Sequence, residues 1–348
     1  MRILLTADPE LPVPPIGYGG IERIVASLVE EYVRRGHEVG LVAHPESTAP
    51  ASQLVPWSAR GSRGPESLLR NPRRLSAAAR EFRPDVVHSF SRLLYLLPRL
   101  ARRGGPTVMS YQRQTGGRAL TLAARLGGPS FAFTACSEFI CRQGRPRGGA
   151  WHAIHNFVDV GQIPFRAAVP ADAPLLFLSR IEEIKGPHLA IAVARAAGRR
   201  LVLAGNRVDS PSGRAFWEKA IAPELARGGV EWVGEVDNEK KWRQLGEAAA
   251  LLLPIQWEEP FGIVFVEALA AGVPVITCER GATPEIIESG RTGFFISGVE
   301  DGVNAVRALS SIDRRACRAR AEAAFDLPVA ADRYLALYRQ LAESASAP

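Results

Sequence analysis

The chain has 348 residues, 47% of them hydrophobic, and 43 lysines and arginines against 36 carboxylates give a formal net charge of +7. That length suits two buried cores, and the composition excludes a disordered, fibrous or membrane-embedded chain. The four cysteines, Cys136, Cys141, Cys278 and Cys317, lack paired C-x2-C spacing, so reduced thiols in a cytoplasmic protein are expected rather than a disulfide framework or a structural zinc site.

Met1 to Ala7 is apolar but far too short for a signal or membrane segment, and Arg2 to Thr6 reads as a first buried strand. Gly17-Tyr18-Gly19-Gly20 follows and leads into a helix over Ile21 to Arg35. The loop is not a dinucleotide fingerprint, because the G-x-G-x-x-G spacing fails at Glu22. Its place between strand and helix still lets a backbone approach an anionic ligand. Strands are expected at Val39 to Ala43, Asp85 to His88 and Thr107 to Ser110. From Arg60 to Arg147 the sequence holds seventeen arginines, no lysine and four carboxylates, so this part is strongly basic and the remainder acidic. Leu68, Leu69 and Leu75 beside Arg70, Arg73, Arg74 and Arg80 suit an anionic membrane surface, unless the arginines are simply solvated. Nucleic acid is disfavoured, because the arginines lack interleaved aromatics and no recognition motif is present.

A second strand series starts at Leu175 to Leu178 and continues through Leu201 to Ala204, Val230 to Val233, Ala250 to Pro254 and Val273 to Thr277. Two series of strands alternating with amphipathic helices predict an α/β chain of two Rossmann-like domains. The changeover falls in the Pro/Ala-rich stretch 156–174, which gives domains at 1–160 and 161–327 and a final helical segment at 328–348. Within it, Pro328 to Leu341 places Tyr334 and Tyr338 one turn apart.

The most informative segment runs from Glu258 to Ile276. A Pro-Phe-Gly turn precedes helical apolar spacing from Ile263 to Ala271, and Gly272 supplies the stop. The first N–H groups of that helix, on Gly262, Ile263 and Val264, suit a phosphate. Glu259 and Glu267, with seven residues between them around the helix start, suit hydroxyl-rich groups instead, Glu259 at the mouth of the site and Glu267 near a second polyol such as a ribose.

This segment resembles the E-x7-E region of the family 4 glycosyltransferases, retaining enzymes of the two-domain GT-B fold. Ser179-Arg180-Ile181-Glu182-Glu183-Ile184-Lys185-Gly186 resembles the family's R-x4-K-G segment. The turn at Gly205, the Val233-Gly234 turn beside the nucleotide base, Arg280 to Ile287, Gly290 to Phe294 and the loop holding Gly19 and Gly20 follow in the family's order. The resemblance implies two Rossmann-like domains facing each other across a deep cleft, with an N-terminal acceptor domain, a C-terminal donor domain and a last helix crossing back to the first. It implies transfer of a hexose-type sugar from a nucleoside-diphosphate sugar, UDP- or GDP-linked, with retention of configuration, as in bacterial cell-envelope polysaccharide synthesis. The acceptor would be a glycan, a small molecule or a lipid-linked sugar at the inner face of a membrane.

In this reading Arg180 and Lys185 stabilise the leaving diphosphate, Glu259 holds sugar hydroxyls and Glu267 the ribose. Gly19, Gly20, Gly205, Val233, Gly234, Phe261, Gly262, Ile263 and Val264 complete the donor site. No cofactor and no metal are expected, since the D-x-D motif of metal-dependent glycosyltransferases is absent. Gln112, Arg113 and Gln114 are candidates for the acceptor cleft from position alone. The family's H-x-H pattern becomes His88-Ser89-Phe90 here. His88 is thus a catalytic candidate or a structural residue at a strand end, and Phe90 supports the alternative of a weak or inactive nucleotide-sugar-binding homologue. A sugar-nucleotide epimerase of similar fold is a further enzyme alternative, although it needs acid/base carboxylates and histidines that find no place in this sequence.

Overall fold

Short aliphatic runs flanked by glycine, proline and acidic residues set thirteen strands among the described residues, all parallel to their sheet neighbours. The computed structural model describes every residue except Tyr18, Ser62, Arg63, Thr115, Ala347 and Pro348, so Tyr18 of the glycine-rich loop lies outside the described residues, as do Arg63 of the basic stretch and the last two positions of the 328–348 segment. The chain divides into Met1–Phe157 with Leu327–Pro348, called unit 1, and Val158–Asp326, called unit 2.

Unit 1 carries β1 (Arg2–Thr6), β2 (Glu38–Ala43), β3 (Gln53–Pro56), β4 (Val86–Ser89), β5 (Thr107–Tyr111), β6 (Phe131–Ala135) and β7 (Ala150–Ala153) in the order β3-β2-β1-β4-β5-β6-β7. Ile3, Leu4 and Leu5 of β1 are fully buried, as a parallel sheet covered on both faces requires. The strand order reverses between β1 and β4. The helix Leu327–Ser346 belongs to this unit and packs against Gly20–Arg34, with the Tyr32 and Tyr338 rings edge to face and their hydroxyls 3.3 Å apart.

Unit 2 carries β8 (Leu175–Leu178), β9 (Leu201–Ala204), β10 (Val230–Trp232), β11 (Ala250–Leu253), β12 (Val275–Thr277) and β13 (Gly293–Phe295) in the order β10-β9-β8-β11-β12-β13, so its reversal falls between β8 and β11. The sequence places the start of β12 two residues early. Pro274 has no N–H to give to a ladder, and the Val273 N–H instead closes the preceding helix on the Ala268 carbonyl at 2.8 Å. At the edge of the unit, the Val158 N–H bonds the Phe325 carbonyl at 3.1 Å and Val158 pairs with Asp326 in an isolated parallel bridge. No helix among the described residues is long and apolar enough to cross a membrane.

Candidate functional site

The loop after β8 and the loop after β11 flank the reversal of strand order in unit 2, where open α/β sheets hold ligands. Each delivers one partner of an ion pair. The loop after β8 ends in a single helical turn, Glu183–Lys185, closed by Gly186 at φ +76°. A side chain on Gly186 would put its Cβ 2.0 Å from the Pro254 carbonyl oxygen, so glycine lets this turn lie directly on the end of β11. Lys185 thereby reaches Glu259, Nζ to Oε2 at 2.7 Å, and both side chains are only 12% exposed. Trp257 Nε1 donates to the same oxygen at 2.9 Å, and the ammonium lies 4.5 Å from the Trp257 ring centre. Gly281, at φ +60°, closes the other side. Its Cβ would lie 2.2 Å from the Glu259 carbonyl oxygen, and that oxygen accepts from the Ala282 N–H at 2.9 Å.

The helix Ile263–Ala270 begins directly behind this pair. Its N-cap is Gly262, in the left-handed region and without a capping side chain, and Ile263 and Val264 are half-buried. One turn along, Glu267 Oε1 holds Lys241 Nζ at 2.5 Å, and Lys241 lies 4.1 Å from the Trp242 ring centre. Both carboxylates of the E-x7-E segment are therefore held by a lysine that stands over a tryptophan. Lys241, Trp242 and the Trp257 bond escape the sequence reading, although one signal was available. The chain has only four lysines among its 43 basic residues, and two of them meet these two carboxylates.

Other donor candidates take different places. Arg180 lies on the rim, 45% exposed, with Nη2 2.6 Å from Glu182 Oε1. The Gly205 N–H bonds the Gly234 carbonyl at 2.7 Å, joining the turns after β9 and β10, while the Val233 N–H completes the ladder to Leu203. Phe261 needs correction as a donor-binding side chain. It is 2% exposed, with its ring edge to face against Phe325, and it belongs to the core.

In unit 1, His88 takes the structural place at a strand end that the sequence left open beside a catalytic one. It is fully buried on β4, its Nδ1 is 2.5 Å from the Tyr338 hydroxyl, and its Nε2 is 2.6 Å from the Ser110 hydroxyl. Burial alone pushes its pKa down to about 3, so the ring is neutral, with both nitrogens held by hydroxyls. Phe90 lies beside it with its ring tilted by 37°, 4% exposed. Gly19 is required by contact, since a Cβ there would meet Pro15 at 2.6 Å, whereas one on Gly20 would meet nothing within 4 Å. Gln112 is half-buried, and Arg113 and Gln114 are exposed. The sequence reading also missed Asp8, just past β1, with one buried carboxylate oxygen that has no partner. Of the leucines assigned to a surface, Leu68 and Leu69 are exposed, but Leu75 is core at 1% exposure.

Comparison with known proteins agrees with this geometry. A family model described as glycosyl transferases group 1 matches residues 164–324, and one described as glycosyltransferase family 4 matches residues 18–162. A glycogen synthase of Mycobacterium tuberculosis is 26% identical over 388 residues, covering 94% of this chain and 91% of its own. The structure of a glycosyltransferase involved in avilamycin A biosynthesis superposes with a TM-score of 0.70 at 25% identity, covering 98% of both chains. That of Anabaena HepE in complex with UDP gives 0.75 at 17% identity, covering 97% of this chain and 99% of that one.

Proposed function

The chain belongs to the family 4 glycosyltransferases of the GT-B fold, and from that premise we propose that it moves a hexose-type sugar from a nucleoside-diphosphate sugar to a hydroxyl acceptor, with retention and without a metal. The observation that carries the proposal is the meeting of Lys185 and Glu259 at the strand-order reversal of unit 2, directly before a helix start that has no capping side chain. An ammonium has three N–H groups, and Lys185 gives one to Glu259, which leaves donors for a diphosphate. Arg180 on the rim adds charge, and the uncapped N–H groups behind Gly262 add a fixed positive field. Together they would stabilise the charge that grows on the leaving phosphate as the anomeric bond breaks.

The bonds to Lys185 and Trp257 both fall on Oε2 of Glu259, so Oε1 is the oxygen offered to sugar hydroxyls. Glu267 gives Oε1 to Lys241 and offers Oε2 to the ribose. Unit 1 takes the acceptor, and the leaving phosphate receives the acceptor's proton. The exposed leucines and arginines of the helix Pro65–Phe82 extend the reading to a lipid-linked acceptor at the inner face of an anionic membrane.

Calorimetry of the purified protein against UDP-, GDP- and ADP-glucose in EDTA tests the proposal. We expect one nucleotide to bind, Lys185→Ala to weaken it at least about tenfold, and Glu259→Gln to cost about 10²-fold in transfer with much less loss of binding. A folded protein that binds none of them, or binds only with a divalent cation, would sink it. A second reading, a nucleotide-sugar-binding homologue without transferase activity, is favoured by one observation: neither His88 nor Phe90 presents a free imidazole. Donor binding without nucleotide release at any acceptor concentration would select it.

A further inference from the structure

Lys241 sits where a helix does not favour a cation. It lies in the first turn of the helix Asn238–Glu247, whose N-cap Asp237 accepts from the Lys240 N–H at 2.8 Å. The Lys241 N–H closes that turn on the Asp237 carbonyl at 2.9 Å. A cation at this end meets the positive pole of the helix, so the position costs stability unless the side chain is compensated elsewhere. Its neighbour Lys240 is exposed. Lys241 instead turns to Glu267 on the helix Ile263–Ala270, Nζ to Oε1 at 2.5 Å, and the two side chains are only 12% and 15% exposed. The ammonium also lies 4.1 Å from the ring centre of Trp242, which is half-buried.

A glutamate side chain has several rotatable bonds, and on a helix surface it samples several rotamers. Hydroxyls on a ribose ring need its carboxylate in one orientation. Lys241 supplies that restraint from the neighbouring helix by taking Oε1, and Trp242 restricts the lysine in turn. The ammonium also balances a carboxylate that would otherwise face an anionic nucleotide.

We propose that Lys241 is a positioning residue for ribose recognition: it fixes the Glu267 carboxylate so that Oε2 accepts from a ribose hydroxyl, and it thereby makes the site select ribonucleotides over deoxyribonucleotides. This role rests on the donor site proposed above. A carboxylate held in place loses a hydrogen bond outright when the hydroxyl is missing, whereas a mobile one turns to water. A mere staple between two helices behaves differently, since its loss weakens every nucleotide equally.

The test is calorimetry in EDTA with UDP, GDP and ADP, each beside its 2′-deoxy and 3′-deoxy forms, on wild-type protein, Lys241→Met and Lys241→Arg. Methionine keeps an unbranched stem over Trp242 and removes the ammonium, while arginine keeps the charge and the donors. In the wild type, the nucleotide that binds should lose at least about tenfold in affinity when one of the two hydroxyls is removed. In Lys241→Met that ratio should shrink to about threefold or less, because the ribonucleotide loses more affinity than its deoxy form, and Lys241→Arg should keep most of the ratio. A wild type indifferent to both deoxy forms, an equal loss for ribo- and deoxynucleotide in Lys241→Met, or a Lys241→Met that no longer folds would overturn this role, the last two by making Lys241 a staple. A wild type that binds no nucleoside diphosphate refutes the donor site itself, whereas binding with an unmoved ratio in Lys241→Met refutes the role of Lys241 alone.

Discussion

An imidazole folded into the interior between two hydroxyls is a stability element with a pH signature. His88 is neutral in the folded chain because burial holds its pKa near 3, whereas in the unfolded chain it protonates near about 6.5. Its contribution is therefore complete above pH 6.5 and is lost as the pH falls toward 3. Replacing it by phenylalanine takes one hydrogen bond from each of the Tyr338 and Ser110 hydroxyls, which keep Tyr32 and Thr134 as partners, at a cost of about 1–3 kcal/mol. Urea unfolding at pH 7.5 should show that loss, with nucleotide affinity in unit 2 unchanged; an intact fold with abolished transfer would return His88 to the chemistry. Asp8 has the opposite sign. Its pKa is raised from 3.8 to about 6, so its contribution is present below pH 4 and lost as the pH rises through 6. By neutral pH the cost is up to about 3 kcal/mol, which Asp8→Asn removes.

Among the elements, the helix Pro65–Phe82 shows how one face is divided. Ser67, Asn71, Leu75, Ala78 and Phe82 turn inward, while Leu68 and Leu69 are 42% and 59% exposed beside Arg70 and Arg73. Some of its charge is already engaged, since Arg70 pairs with Glu66 and Arg74 donates to the Pro56 carbonyl. Changing Leu68 and Leu69 to serine should leave stability within about 0.5 kcal/mol each and reduce co-sedimentation with phosphatidylglycerol vesicles. Unchanged sedimentation would leave these leucines without a membrane role. Strands written as continuous aliphatic runs, such as β1, β8, β9 and β11, were legible in the sequence because a doubly covered strand has no polar face to interrupt it. Phe131–Ala135, Ala150–Ala153 and Gly293–Phe295 were not, since alanine, glycine and polar residues dilute the pattern and only the neighbouring strand decides their conformation. Lys185 and Glu259 could be read from a motif. The bond from Lys241 to Glu267 could not, because two helices bring together residues 26 apart, and spacing along one helix says nothing about such a pair.

For the whole molecule, the chain is threaded so that unit 2 is one continuous segment while unit 1 is made of two. A fragment spanning 158–326 should fold alone and unfold cooperatively in urea, and it should keep the nucleotide affinity of the full chain apart from contributions of unit 1. A fragment ending at residue 157 should not, because it lacks the partner of His88 Nδ1 and of the Tyr32 ring. Cooperative unfolding of the shorter fragment would show the last helix to be dispensable. During synthesis this threading imposes a delay. The first seven strands emerge early, yet the helix that covers His88 follows only after the roughly 170 residues of unit 2, about ten to thirty seconds later at ordinary ribosomal rates. Throughout that interval the nascent sheet displays a bare apolar face, and this is the period when the growing chain depends most on a chaperone.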